Sequence, residues 1–220
     1  MNRNELFNLM ADAVLKGDKA GSIKLAEDSI EMGIDPRTAI EEGFTPGMNK
    51  TGELWDEGVY FLPELVMSAE AMKAAMGVLK PVMTGNRAGA ASSGTVVIGT
   101  VEGDIHDIGK TIVAALLEAA GFNVVDLGFD VPEEKFISEA EAHNADIIGM
   151  SALLTTTMFG QKRLISRLRE LGKRDKYKIM VGGAPVSEKW AKDIGADSAP
   201  GDAMNAVRAA KELMGAVKAY

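Results

Sequence analysis

Apolar runs and helical patterns alternate regularly along the chain from residue 95 onward. Short runs rich in Val and Ile predict strands, and the stretches between them carry apolar residues at helical spacing. This alternation predicts an α/β domain with a parallel sheet and helices on both faces, because a parallel strand can be reached only through a crossover. The expected fold is flavodoxin-like or Rossmann-like, with five strands at Thr95–Val101, Asn123–Asp126, Asp146–Ser151, Lys178–Val181 and near Asp197–Ser198. The helices are expected near 109–120, 132–143, 158–171, 186–194 and 202–217.

Residues 1–84 show helical periodicity throughout and predict an N-terminal helical bundle. Helices are expected near 5–16, from 18 to 32, from Asp35-Pro36, through Trp55 after an interruption at 43–46, and from Leu62 to Met83. The segment 85–94, Gly-Asn-Arg-Ala-Gly-Ala-Ala-Ser-Ser-Gly, is small and polar, which is typical of a linker. We therefore expect a helical domain at 1–84 and an α/β domain at 95–220.

The composition excludes several classes of function. The net charge is −8 with both signs mixed along the chain, which argues against a nucleic-acid or an anionic-membrane partner. The absence of cysteine excludes thiol nucleophiles, Cys-ligated zinc and iron–sulfur clusters. The N-terminal residues lack a signal-peptide pattern and no apolar run reaches the roughly 20 residues of a membrane span, so a cytoplasmic location is expected.

Three loops of unusual composition follow the first, third and fourth predicted strands. They are Gly103–Lys110, Ser151–Met158 and Gly182–Pro185. In an open parallel sheet the ligand binds outside the carboxyl ends of the strands, beside the point where the strand order reverses. We therefore expect these three loops to line one crevice.

The first loop contains His106, one of two histidines in the chain. A phosphate-binding loop does not explain it, since five residues rather than four separate Gly103 from Gly109. His106 is then either a structural residue or a ligand. Asp104, two positions earlier, favours a ligand, because a carboxylate partner fixes the tautomer and the orientation of a metal-bound imidazole.

One histidine restricts the kind of metal site. Zinc or non-haem iron needs three or four protein ligands, whereas a metal held in a macrocycle needs one axial ligand. A haem-like or a corrin-like cofactor therefore remains open at this point. The second histidine, His143, is expected to be an exposed residue at a helix end.

The other two loops each have a simpler explanation that stays open. Hydroxyl residues after the third strand can cap the next helix, although Ser151, Thr155 and Thr157 together exceed what one cap needs. Gly182-Gly183 can form a tight turn, and paired glycines also let a ligand approach the backbone.

Taken together, the pattern Asp104-x-His106-x-x-Gly109, the segment Ser151-x-Leu153-x-Thr155 and the pair Gly182-Gly183 resemble the cobalamin-binding signature of the methionine synthase and methylmalonyl-CoA mutase type. The resemblance implies that His106 displaces the dimethylbenzimidazole base and binds cobalt from below, with Asp104 as its hydrogen-bonded partner. It also implies that Gly109 lets the nucleotide tail pass.

The same resemblance assigns roles to the second and third loops. Ser151 and Thr155 would line the slot for the nucleotide tail, and Gly182 and Gly183 would flank it. Thr157 falls where the family's His-Asp-Ser relay has serine, after Thr156 where methionine synthase has proline. The residues assigned to cofactor binding are Asp104, His106, Asp107, Ile108, Gly109, Ser151, Leu153, Thr155, Thr157, Gly182 and Gly183, with His106 as the metal ligand.

The N-terminal half extends the resemblance over nearly the whole chain. Segments 44–48, 52–55 and 61–65 are similar to the helical cap that covers the upper face of methylcobalamin. The order of the two modules resembles the small corrinoid proteins of anaerobic methyltransferase systems, which act with methylamine, methanol, betaine or methoxyaromatic methyltransferases. Segments 160–162 and 182–187 are closest to the methylamine branch.

That family resemblance implies a methyl carrier with no catalytic residues of its own. It would pass a methyl group on cobalamin, or a related corrinoid, from a substrate-specific methyltransferase to an acceptor methyltransferase, and a reductive activase would restore it. The alternative is a cobalamin-binding sensor or regulator, although the DNA-binding module usual in such proteins has no counterpart here.

Overall fold

The structure, a computed structural model, describes residues 1–86 and 93–215. The chain divides into two compact units, Met1–Ala91 and Ser92–Tyr220, and each contains buried apolar side chains. Within the described residues, no helix is both long enough and apolar enough to cross a membrane.

The first unit is helical, as the sequence predicts. Its first helix starts with a capping box, in which Asn2 and Glu5 each accept a hydrogen bond from the other's backbone N–H. The α-helices of this unit are α1 (Arg3–Leu15), α2 (Lys19–Glu31), α3 (Pro36–Thr38), α4 (Thr45–Asp56) and α5 (Leu62–Asn86).

The interruption predicted at 43–46 is wrong. A π-helix, Ala39–Phe44, connects α3 directly to α4, and the Thr45 N–H donates to the carbonyl of Ile40, five residues back. Pro46 lies in the first turn of α4, where a missing N–H is tolerated. Gly47 serves close packing instead of a break, since a β-carbon there would overlap the backbone of Ala11.

The last helix of this unit reaches further than predicted. Helix α5 continues past Met83 to Asn86, into the segment that the sequence predicts as a linker. Residues 87–92 of that segment lie outside the described residues.

The second unit contains a parallel sheet in the order β2-β1-β3-β4. This order places β1 and β3 side by side at the point where the winding reverses, the usual ligand position of flavodoxin-like sheets. The elements are β1 (Thr95–Thr100), α6 (Ile108–Ala119), β2 (Asn123–Asp126), α7 (Glu133–Ala142), β3 (Ile147–Ser151), α8 (Phe159–Glu170), β4 (Lys178–Gly182), α9 (Glu188–Ile194) and α10 (Ala203–Gly215).

Four strands are present in the described residues where five are predicted. The expected fifth strand is reduced to a single bridge between Met180 and Ser198. The Asp197 carboxylate accepts the Ile179 N–H at 2.6 Å, so a side chain takes a bond that a ladder would give to backbone. Pro200 follows shortly and has no N–H to extend the pairing.

Helices cover both faces of this sheet. On one face Val97, Ile148 and Ile179 join a core with residues of α7, α8 and α9, whereas α6 and α10 pack together and α6 contacts β1 and β2. Because side chains alternate along a strand, Ser151 and Gly182 point to the face opposite that core. These two residues are register partners at the carboxyl edge.

Candidate functional site

Asp104 is the centre of the hydrogen bonding in the loop that follows β1. Its side chain is fully buried. Oδ1 accepts the backbone N–H of His106 at 3.0 Å and lies 2.8 Å from His106 Nδ1. The positive φ of Gly103, +83°, turns the chain so that this carboxylate points inward.

The loop after β3 supplies the donors to the other carboxylate oxygen of Asp104. Oδ2 accepts the Thr157 hydroxyl at 2.6 Å and the Leu153 N–H at 2.7 Å. The Thr157 hydroxyl therefore contacts Asp104 directly, and its role in a relay stays a prediction from the resemblance. Thr156, which stands where methionine synthase has proline, does not prevent this contact.

These bonds determine the protonation of the Asp104 carboxyl. Burial by itself disfavours the charged form, but the bonds from Thr157, His106 and Leu153 outweigh burial and hold the pKa of Asp104 well below its ordinary value. An ionised carboxylate can only accept, so the bond to His106 requires the proton on Nδ1. In the neutral imidazole, Nε2 then carries the free lone pair.

That lone pair is accessible. The His106 side chain is 47% exposed while its Asp104 partner is 0% exposed. Nε2 has no hydrogen-bond partner within the described residues. Ile105 and Ile108, on either side of His106 in the chain, are 69% and 77% exposed, so the same loop presents apolar surface to solvent.

Apolar surface continues onto the neighbouring loops. Leu153 and Leu154, whose N–H groups point at Asp104, expose their side chains, and so does Phe129 in the loop after β2. Several exposed apolar side chains around one histidine indicate a binding surface for a large apolar ligand.

The two glycines at the end of β4 have different surroundings. A β-carbon on Gly183, whose φ is +124°, would overlap the backbone of Ala152, whereas one on Gly182 would meet no atom within 4 Å. Gly109 at the start of α6 is also open in this way. Open space therefore adjoins the carboxyl edge of the sheet at two of the predicted positions.

The remaining predicted residues are less engaged. Asp107 is the N-cap residue of α6, but its side chain makes no capping bond. The hydroxyls of Ser151 and Thr155 make no hydrogen bond within the described residues, and Thr155 is exposed. His143 is the exposed C-cap of α7, as predicted.

The sequence did not indicate two buried polar residues, Lys110 and Gln161, that bind the strands and loops next to the site. Lys110 is buried and binds both carboxylate oxygens of Asp126 at 2.5 Å. A lysine on the buried stripe of α6, in line with Ala114 and Leu117, was the available signal. Gln161 donates to the carbonyls of Met150 and Gly182 at 3.1 Å, and nothing in the helical pattern indicates those partners.

Comparison with known families identifies this arrangement. Residues 94–211, more than half of the chain, match the family model of the B12 binding domain, and residues 6–80 match a second model with the same description. The chain belongs to the B12-binding family. It is 48% identical to trimethylamine corrinoid protein 1 of Methanosarcina acetivorans over 89% of this chain and 91% of that protein. It is 46% identical to the dimethylamine corrinoid protein of Methanosarcina barkeri over 97% of this chain and 100% of that protein.

Solved structures of B12-binding proteins are also similar. A chain of the methanol:cobalamin methyltransferase complex of Methanosarcina barkeri matches with a TM-score of 0.85 at 34% identity, over 97% of this chain and 81% of that chain. A cobalamin-binding protein of Desulfitobacterium hafniense matches with a TM-score of 0.78 at 32% identity, over 94% and 98% of the two chains.

The residues of the site fit the cofactor of this B12-binding family. A corrin ring is large, has apolar faces with methyl groups, and supplies four of the metal's ligands, so the protein needs one accessible nitrogen beside apolar surface. His106 Nε2 and its apolar neighbours meet that need. Within the described residues, no group of three or more potential metal ligands exists that could hold a metal ion without a macrocycle.

Proposed function

We propose that this protein is a corrinoid methyl carrier that works with a methyltransferase acting on methylated amines. The proposal is supported by relatives named as trimethylamine and dimethylamine corrinoid proteins, which align over 89% and 97% of this chain. A similar chain in a methanol:cobalamin methyltransferase complex supports a methyltransferase as the partner. The sensor alternative is not favoured, because the relatives carry corrinoid-protein names.

The observation that carries the proposal is the pairing of a buried, ionised Asp104 with an exposed His106. The carboxylate fixes the proton on Nδ1 at 2.8 Å, which leaves Nε2 as the donor atom for a metal. His106 would be the axial ligand of the corrinoid, and Ile105, Ile108 and Leu153 would contact the ring.

When bound, a corrinoid supplies a cobalt ion that accepts a methyl group and gives it up. The residues of this chain would orient and protect the corrinoid and tune the reactivity of its cobalt. Asp104 holds the His106 ring whether or not Nε2 carries a proton, because Oδ1 accepts a hydrogen bond from the Nδ1–H in both states. Thr157 donates to Oδ2 and keeps the carboxylate ionised.

The nucleotide tail of the cofactor would enter the face of the sheet that carries Ser151 and Gly182. The absence of any atom within 4 Å of a β-carbon on Gly182 supports this route. We assign Ser151 and Thr155 as lining residues, Gly109 as the opening beside α6, and Asp107 and Ile108 as contacts at its rim.

Further partners and the helical unit belong to the same proposal. We propose an acceptor methyltransferase and a reductive activase as the other partners, residues 1–84 as the cap over the methyl group, and the cytoplasm as the location.

The test compares His106→Ala with His143→Ala after reconstitution with hydroxocobalamin. We expect His143→Ala to give the visible spectrum of the wild-type holoprotein, and His106→Ala to give a shifted spectrum because the imidazole ligand is lost. An unchanged spectrum in His106→Ala would exclude this histidine as the axial ligand. A methyl-transfer assay with monomethylamine, dimethylamine and trimethylamine methyltransferases then identifies the donor.

A further inference from the structure

The segment Asp126–Val131, which connects β2 to α7, contacts the Asp104 loop from the side opposite Thr157. Sheet order places β2 and β3 on either side of β1, so their following loops flank the loop of β1. The loop after β3 holds the Asp104 carboxylate, as described above. The segment after β2 holds the backbone of the same loop.

Asp130 makes two hydrogen bonds to the backbone of the Asp104 loop. Its Oδ1 accepts the Gly103 N–H at 2.7 Å, and its own N–H donates to the Asp104 carbonyl at 3.0 Å. The two bonds bracket the peptide that joins Gly103 to Asp104. A displacement of this peptide would carry the Asp104 carboxylate, and with it the His106 ring, away from its position.

The backbone of Asp130 has an unusual conformation. Its φ is +53°, and Asn144, with φ +48°, is the other non-glycine residue with a positive φ in the described part of the chain. Asp and Asn enter this left-handed region more readily than other side chains, although at some cost. A residue kept in a disfavoured conformation while both its polar groups bond the cofactor loop is a candidate for a functional constraint.

The segment that carries Asp130 is itself firmly anchored. Gly128 accepts the Thr100 N–H and Val131 donates to the Thr100 carbonyl, both at 3.0 Å, so β1 binds the segment on two sides of Asp130. The Asp126 carboxylate accepts the Gly128 N–H at 2.9 Å and pairs with buried Lys110. Asp130 thus lies in a segment that is hydrogen-bonded to β1 and tied to α6 through the Asp126–Lys110 pair.

We propose that Asp130 is a positioning residue for the axial histidine. It holds the Gly103–Asp104 peptide so that the Asp104 carboxylate presents His106 Nε2 to the metal. This inference rests on the proposed function, because it takes His106 as the axial ligand. It predicts that the Oδ1 acceptor of Asp130 matters for imidazole ligation and that its charge matters little.

Substitutions at Asp130 separate the side-chain bond from the backbone conformation. Asp130→Asn keeps an oxygen acceptor for Gly103 and tolerates a positive φ. Asp130→Gly keeps the backbone N–H and the positive φ but removes the acceptor. Asp130→Ser, whose side chain is too short to reach Gly103, is a second variant that removes the bond. Asn144→Gly is the matched control, since it makes the same backbone change at a left-handed residue far from the site in sequence.

The experiment measures imidazole ligation directly in the full-length holoprotein. Each variant is produced with ¹⁵N-labelled histidine, loaded with cobalamin and reduced to cobalt(II), and the nitrogen splitting in its electron paramagnetic resonance spectrum gives the ratio of imidazole-free to imidazole-ligated cobalt. We expect Asp130→Gly and Asp130→Ser to raise this ratio about tenfold, since one hydrogen bond is worth about that factor. Asp130→Asn and Asn144→Gly should stay within about twofold of wild type.

Two results would overturn the inference. A wild-type ratio in Asp130→Gly and Asp130→Ser would mean that Asp130 only closes a loop, even if both variants are less stable. A wild-type spectrum without any ¹⁵N-dependent splitting would remove His106 as the ligand, and the proposed axial role would fail together with this inference. The first result leaves the proposed function intact, so the two failures are distinguishable.

Discussion

The ends of β1 and β4 lie at the same edge of the sheet and are built in contrasting ways. The loop after β1 is defined by side-chain bonds, since the buried Asp104 carboxylate gathers donors from two loops. The turn after β4 is defined by missing side chains, because Gly183 admits no β-carbon and Gly182 faces open space. One end positions a reactive nitrogen, and the other leaves room for a ligand.

The largest effect is expected at Gly183. Gly183→Ala places a β-carbon against the Ala152 backbone at a φ of +124°, so both overlap and strain oppose folding. We expect a loss of about 3–6 kcal/mol in the free energy of unfolding, or no folded protein. Denaturant unfolding of the apoprotein measures it. A loss below about 1 kcal/mol would show that the close approach is not required.

Removal of the Asp104 carboxylate should have the next largest effect. Asp104→Ala removes the acceptor of the Leu153 N–H and the closer of the two acceptors of the Thr157 hydroxyl, which keeps only the Leu154 carbonyl at 3.0 Å. We expect a loss of about 2–4 kcal/mol in the free energy of unfolding, together with loss of imidazole ligation in the holoprotein. If stability falls but ligation persists, His106 does not depend on Asp104 for its orientation.

The depressed pKa of Asp104 predicts how stability depends on pH. Its unfolded pKa is about 3.9 and its folded pKa is lower, so its contribution is fully present above about pH 5 and is lost as pH falls further. The difference in unfolding free energy between wild type and Asp104→Asn should therefore not shrink between pH 7 and about 5, and should shrink below about 4. A difference that already shrinks near neutral pH would contradict an ionised carboxylate.

The hydroxyl of Thr157 should contribute a smaller amount. Thr157→Val keeps the shape and removes the donor to Asp104, which should cost about 1–2 kcal/mol in the free energy of unfolding. Thr157→Ser retains the hydroxyl and serves as the control, with recovery of most of that loss. Equal losses in both variants would assign the effect to packing of the methyl group.

Gly182 should show the smallest effect on stability and a clear one on binding. A β-carbon there meets no atom within 4 Å, so Gly182→Ala should change the free energy of unfolding by less than about 0.5 kcal/mol. If the nucleotide tail passes this point, the affinity for cobalamin should fall while the affinity for cobinamide, which lacks the tail base, should stay the same. If the substitution changed the affinities for cobalamin and cobinamide by the same factor, or changed neither, Gly182 would not lie on the tail route.

Much of the fold could be predicted from the pattern of the sequence. The α/β unit after a helical unit is confirmed, and β2 has its predicted bounds, Asn123–Asp126. These features depend on the alternation of apolar residues, which is local. The prediction of a fifth strand was wrong. The Asp197 carboxylate accepts the hydrogen bond of the Ile179 N–H instead, and no local sequence pattern indicates a contact between residues so far apart in the chain.

The site also contains residues that could be predicted from the sequence and residues that could not. Asp104 and His106 are two residues apart, so their pairing could be predicted from the sequence, and family resemblance extended it to Thr157, 53 residues from Asp104. Asp130 could not be found, because its partners are backbone groups of Gly103 and Asp104 and backbone groups leave no sequence signature. The π-helix before α4 was missed because Gly and Pro usually mark a break.

The tautomer of His106 in the apoprotein tests the central claim most directly. Long-range ¹H–¹⁵N correlation spectra of protein labelled with ¹⁵N-histidine distinguish a protonated ring nitrogen from a bare one. At a pH where the ring is neutral, we predict a proton on Nδ1 and a bare Nε2, since Asp104 Oδ1 lies 2.8 Å from Nδ1. A neutral His106 with its proton on Nε2 would contradict the account, because no lone pair would then face the cofactor.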